Sequence, residues 1–122
     1  MSKARIMVVE DEVVSAMALK MCLEAFSYTT CSIAANGDEA LSIAEIERPD
    51  LVLMDINLPG SLGGVDAARE IYKRFQVSSI FLSGYPEEEL GVSLKDTGYA
   101  GYLLKPFDLN VLEKMIDQAL RS

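Results

Sequence analysis

Five short apolar runs punctuate the chain, and each stops at a polar or turn-forming residue. Arg5 to Val9, rich in β-branched residues, ends abruptly in Glu10-Asp11-Glu12. Tyr28 to Ala34, Leu51 to Met54, Ser79 to Leu82 and Gly101 to Leu104 are the other four. Their length and composition are those of strands. Leu51-Val52-Leu53-Met54 has no polar position at all, which marks a strand covered on both faces. Pro59-Gly60 closes the turn that follows it.

Between these runs the spacing becomes helical. Val13 to Phe26 places Ser15, Ala18, Leu19, Cys22 and Phe26 on one face. Asn36 reads as an N-cap with Glu39 three residues on, opening a helix that carries Ala40, Leu41, Ala44 and Glu47 until Pro49 stops it. The Gly-rich stretch from Gly60 to Gly64 precedes a third helix, with Val65, Ala68, Ile71, Tyr72 and Phe75 inward. Pro86-Glu87-Glu88-Glu89 reads as the opening of a fourth helix that Gly98 closes. Pro suits a first turn, and acids suit the positive end of the helix dipole. Asp108 caps a last helix bearing Leu109, Leu112, Met115, Ile116 and Ala119.

Strands alternating with helices predict an α/β fold with a parallel sheet and right-handed crossovers that put helices on both faces. The expected architecture is a doubly wound five-stranded sheet of order 2-1-3-4-5, a flavodoxin-like (βα)5 arrangement. In that order the first and third strands are neighbours where the winding reverses, and ligands bind outside their carboxyl ends.

The polar residues at the strand ends then gain a meaning. Glu10 and Asp11 follow the first strand, Asp55 the third, Ser83 the fourth and Lys105 the fifth. Each alone also reads as a cap, a turn residue or a surface charge. As a set they share one edge of a parallel sheet. Clustered carboxylates repel, and a hard divalent cation relieves them. Oxygen ligands in a compact site suit Mg²⁺, or Mn²⁺ on the same hardness argument. Asp11 and Asp55 are the expected direct ligands, and the longer Glu10 suits a water-mediated role. With Lys105 and Ser83 they could hold the oxygens of a phosphoryl group while a carboxylate acts as nucleophile.

Composition narrows the setting. The chain has 122 residues, half of them hydrophobic, which fits one packed domain over residues 1–122. A formal net charge of −8 argues against binding a nucleic-acid backbone. No apolar run has the length of a membrane span. Met1-Ser2-Lys3-Ala4-Arg5 leads straight into strand-like sequence without a signal core, so a cytoplasmic location is expected. Cys22 and Cys31 lie in apolar contexts and read as buried and reduced.

At these residues the chain resembles the receiver domain of two-component response regulators, along its whole length. The resemblance rests on Val8-Val9-Glu10-Asp11-Glu12, Met54-Asp55-Ile56-Asn57-Leu58-Pro59-Gly60, Phe81-Leu82-Ser83-Gly84-Tyr85 and Gly101-Tyr102-Leu103-Leu104-Lys105-Pro106-Phe107. It implies that Asp55 accepts a phosphoryl group from a sensor histidine kinase or a histidine phosphotransfer domain. It implies Mg²⁺ held by Asp11, Asp55 and the backbone carbonyl of Asn57, with Glu10 acting through water. Ser83 and Lys105 would contact the phosphoryl oxygens. Tyr102 matches the aromatic that changes rotamer on activation, and Lys105-Pro106 resembles a bond that is cis in the family. No dedicated enzyme is implied beyond self-phosphorylation and slow autodephosphorylation. The downstream effector stays open, as does a homodimer. Three positions depart from the commonest pattern: Glu10 where many receivers have Asp, Ser83 where Thr is commoner, and a loop one residue longer that reads Leu62-Gly63-Gly64 where an Asp-Gly pair is usual.

Phosphorylation adds roughly two negative charges. Ser83 is expected to move toward the new oxygens and vacate space for the Tyr102 ring. The first helix has a second apolar stripe, Val14, Met17, Met21 and Ala25, which reads either as a wide core face or as a Met-rich docking patch for the phosphodonor. Three rivals stand beside the receiver reading. A phosphohydrolase of the haloacid-dehalogenase pattern needs a second Asp where this chain has Asn57. A flavodoxin-like cofactor binder needs a phosphate loop where this chain has Glu10-Asp11-Glu12. A docking module that no longer accepts phosphate would not require the intact set of five.

Overall fold

The computed structural model describes residues 4–121; the N-terminal Met1 to Lys3, read above for a signal segment, lie outside it, as does Ser122. The elements in order are β1 (Arg5–Val9), α1 (Val13–Ala25), β2 (Thr29–Thr30), α2 (Gly37–Glu47), β3 (Leu51–Asp55), α3 (Gly64–Phe75), β4 (Ser79–Ser83), β5 (Gly101–Leu104) and α4 (Leu109–Arg121). The sheet is wholly parallel, in the order β2-β1-β3-β4-β5. It is the doubly wound architecture expected from the pattern.

The sheet is covered on both faces. Met7, Val9, Val52, Met54 and Phe81 point to one side and pack on α2 and α3 through Ala40, Ala44, Ala67, Ala68 and Ile71. Ile6, Val8, Leu51, Leu53, Ile80 and Leu82 point to the other and meet Ala16, Leu19 and Leu23 of α1 and Leu112 and Ile116 of α4. The alternation along each strand sends successive residues to opposite layers. Every residue of β3 and β4 is buried.

Four expectations are corrected. The fourth helix does not form: only a 3₁₀ turn at Glu87–Glu89 appears between β4 and β5. Its opening signals are real, but Gly91 takes φ +71°, Asp96 φ +63° and Gly98 φ +62°, which no right-handed helix contains. The segment is instead strapped down by Arg69, whose guanidinium donates to the carbonyls of Ser93 at 3.0 Å and Lys95 at 3.2 Å. The second strand is shorter than Tyr28 to Ala34. It pairs at Thr29–Thr30, and the ladder resumes only as a bridge between Val9 and Ala34. Between them the Ser32 N–H donates to the Glu47 carboxylate at 3.0 Å rather than to a strand.

The remaining two corrections concern α1. Of the expected face through Ser15, Ala18, Leu19, Cys22 and Phe26, Leu19 is buried and Phe26 packs on the core, but the buried residues of the helix are Ala16, Leu19 and Leu23, and Ala18 faces solvent. Of the two readings of the second stripe, the wide core face is excluded: Val14 is 78%, Met17 46% and Met21 66% exposed. Cys31 is buried as expected, whereas Cys22 is half-buried; both are free thiols.

Gly91→Ala tests the absence of the fourth helix by its sign. At positive φ, a methyl group costs roughly 1 kcal/mol, so the variant unfolds at lower denaturant. Were residues 86–98 helical, the same change would stabilise by roughly the same amount.

Candidate functional site

The backbone register brings the acidic residues together. Val9 of β1 pairs with Met54 of β3, so Glu10 and Asp55 leave neighbouring strands side by side. The Glu10 N–H donates to the Ala34 carbonyl at 2.9 Å, which holds the chain in the sheet for one more step. Its side chain turns back, and Oε1 accepts from the Glu12 N–H at 3.1 Å. Asp55 closes β3, with Oδ1 accepting from the Asn57 N–H at 3.1 Å. Glu10 is 4% and Asp55 5% exposed, while Asp11 faces solvent. One carboxylate oxygen from each of the three lies within 4.8 Å of the others.

Lys105 follows β5 and reaches across to both buried acids. Its Nζ lies 3.5 Å from Glu10 Oε2 and 3.5 Å from Asp55 Oδ2. Its own N–H donates to the Ser83 carbonyl at 2.7 Å, which ties the β5 end to the β4 end. The Lys105-Pro106 peptide is cis.

These charges do not cancel. At an effective dielectric near 20, unit charges ~4.8 Å apart repel by about 3 kcal/mol. Three carboxylates make three such pairs against one ammonium, itself 37% exposed and screened by water. Burial pushes the Glu10 carboxyl above its ordinary pKa, and the neighbouring Asp55 adds to this; the Glu12 N–H and Lys105 oppose it. A hard dication supplies the missing charge, and an all-oxygen donor set of this compactness fits Mg²⁺.

Ser83 ends β4, one step beyond Leu82, which pairs with Asp55. It is fully buried, and its Oγ accepts from the Tyr85 N–H at 3.0 Å. Tyr102, on β5, donates its hydroxyl to the Tyr85 carbonyl, and its half-buried ring packs against the α2–α3 layer. Both proposed switch residues therefore hold Tyr85, to which the sequence reading gave no role. The signal was present: a hydroxyl residue at the end of a strand commonly accepts from the N–H two residues on. Asn57 is exposed, at the start of the loop to α3.

The profile of the response regulator receiver domain matches residues 6–117. The chain belongs to that family. The chain is 34% identical over 116 residues to the transcriptional regulatory protein PdtaR of Mycobacterium tuberculosis, a match covering 95% of this chain and 56% of PdtaR. It thus spans about half the length of that curated relative. Among solved structures, the signal receiver domain of a modulated diguanylate cyclase from Desulfovibrio desulfuricans G20 superposes with TM-score 0.90 at 31% identity, covering 98% of this chain and 95% of that one. The receiver domain of the sensor histidine kinase PA1611 from Pseudomonas aeruginosa, solved with a magnesium ion coordinated in its active site cleft, superposes with TM-score 0.86 at 29% identity, covering 99% of this chain and all of that one. Receiver domains bind Mg²⁺ in the active site and act with histidine kinases and downstream effectors. This receiver has the acidic cluster for the ion. Among the described residues no helix is long and apolar enough to cross a membrane.

The raised pKa of Glu10 gives a stability test on the metal-free receiver. Its contribution is fully present below the ordinary carboxyl pKa of 4.5 and is lost as pH rises through the folded value. Glu10→Gln removes that loss. At neutral pH the variant melts above the wild type in EDTA, and the difference shrinks as the pH is lowered toward 4.5.

Proposed function

We propose that this receiver takes a phosphoryl group onto Asp55 from the phosphohistidine of a sensor histidine kinase or a histidine phosphotransfer domain. The observation that carries the reading is a buried carboxylate at the end of a central strand, with two acids on one side and an ammonium 3.5 Å away. An Asp55 oxygen attacks phosphorus, the P–O bond forms, and the P–N bond to the donor imidazole breaks. Asp11, Asp55 and the Asn57 carbonyl are the proposed ligands of Mg²⁺, with Glu10 acting through water. When bound, the ion neutralises charge on the transferring group. Lys105 exchanges its pairing with Asp55 for a phosphoryl oxygen, and the Ser83 hydroxyl donates to another.

The readout follows from what these groups hold at rest. Ser83 Oγ is the acceptor for the Tyr85 N–H, so turning it toward a phosphoryl oxygen frees Tyr85. Tyr102, bonded to the Tyr85 carbonyl, is thereby released to change rotamer. The surface formed by residues 84–98, β5 and α4 is the one that changes for an effector. For the donor, the exposed Val14, Met17 and Met21 stripe of α1 borders a groove of about 310 Å³ lined by Cys22, Phe107 and Leu109. Its apolar, adaptable character suits a helical partner.

Intact mass after incubation with acetyl phosphate tests the chemistry. One phosphoryl adduct is expected with Mg²⁺, none in EDTA and none in Asp55→Asn. Lys105→Ala slows labelling by about 100-fold, the usual cost of losing one preorganised charge donor. An adduct that survives Asp55→Asn would overturn the assignment of the acceptor. Met17→Glu and Met21→Glu slow transfer from a phosphohistidine donor and leave labelling by acetyl phosphate unchanged.

A further inference from the structure

The loop from Asp55 to α3 carries the Asn57 carbonyl, and its middle is held by packing alone. At its start the Asn57 N–H donates to Asp55, and at its end the Gly64 N–H donates to the Ile56 carbonyl at 3.3 Å. Among the described residues, no hydrogen bond ties the stretch from Leu58 to Leu62 to the rest of the chain. Pro59, Gly60 and Ser61 are exposed, and Gly60 takes φ +92°. Leu58 and Leu62 are the half-buried anchors, packed against the α2–α3 layer.

Leu62 has a seat made for it. Gly37, the buried first residue of α2, faces it so closely that a Cβ there would lie 2.5 Å from the Leu62 carbonyl oxygen and 2.9 Å from its Cγ. One of these contacts is with backbone, so a methyl group at residue 37 must displace the loop itself. Alanine is otherwise the better residue inside a helix. The glycine costs α2 helix propensity and gives the loop its place.

We propose that the Leu62–Gly37 contact is a positioning device for the metal site: it pins the far limb of the β3–α3 loop to α2 and so fixes where the Asn57 carbonyl stands relative to Glu10, Asp11 and Asp55. The inference rests on the proposed role of Asn57 as a ligand. Mg²⁺ demands near-octahedral geometry; the Asn57 N–H bond to Asp55 holds one side of that ligand, and the unbonded stretch from Leu58 to Leu62 on its other side is fixed by what it packs against. Leu62 and Gly37 are positioning residues; neither touches the ion.

An amide NMR titration with MgCl₂ reads affinity and fold in one experiment. Leu62→Ala and Gly37→Ala are each expected to weaken Mg²⁺ binding by about 10-fold, the usual scale for losing support behind a ligand. Both keep the native dispersion of the sheet amides. Leu62→Met, which refills the seat, stays within about two-fold of wild type. A merely structural contact would lower the melting temperature and leave the affinity unmoved. Wild-type affinity in both Leu62→Ala and Gly37→Ala overturns the positioning role. No binding by the wild type overturns the metal reading itself, and this inference with it. Should Leu62→Ala not fold, Gly37→Ala decides alone, since it adds helix propensity to α2.

Discussion

Two carboxyl groups buried side by side are the constraint on which the rest of this receiver depends. Glu10 and Asp55 do not choose their proximity. The β1–β3 ladder imposes it, four register pairs deep, and the interior of both strands is apolar. A helical core could let two such groups drift apart; a central parallel sheet cannot. The hydrophobic layers therefore hold two carboxyl groups close together out of water, and a cation relieves their repulsion. Lys105 relieves part of this, arriving from the far edge of the same sheet.

The β4–β5 half of the molecule is organised differently. There the chain between the strands is irregular, and it is held by Leu90 and Leu94 in the α2–α3 layer together with a small number of hydrogen bonds. Tyr85 is gripped twice, by Ser83 and by Tyr102. Tyr99 reaches the Glu87 carboxylate at 2.8 Å, and Arg69 spans the carbonyls of Ser93 and Lys95. The segment between β4 and β5 thus combines two apolar anchors with a few polar contacts. Local opening is easiest where few buried apolar contacts oppose it.

How much of this the sequence carries depends on what each feature rests on. Strands were legible because an unbroken apolar run such as Leu51 to Met54 has few alternatives. The groups of the site were legible because they stand immediately after strand ends, where topology alone collects them. The rotation of α1 was not: apolar residues surround it, with only Ser15, Lys20 and Glu24 between them, so no stripe stands out. α3 and α4 have well-populated polar faces and were oriented correctly through Ile71, Leu112 and Ile116, although Tyr72, expected inward, and Leu109, at the first turn of α4, are exposed. The segment after β4 has the opening of a helix but Gly91 within it, and local signals did not reveal that its backbone bonds go to Arg69. Tyr85 and the Gly37 seat were hidden for a further reason. Both act through main-chain atoms, so the only signs in the side chains are a strand-end hydroxyl at Ser83 and a glycine at residue 37.

The brevity of β2 bears on how the molecule behaves among its own copies. It is an outer strand, and an open sheet edge is a template for adding another chain. Here the template is interrupted after two residues. The next free donor, on Ser32, is already taken by the Glu47 carboxylate, which also pairs with Arg5 at 3.7 Å. Hydrogen bonding from Ser32 holds that carboxyl below its ordinary pKa, so it stays charged into mild acid. An incoming strand would have to displace a fixed negative charge to gain a single backbone bond. By occupying a donor just beyond the edge strand, the Glu47 side chain guards the sheet against growing outward.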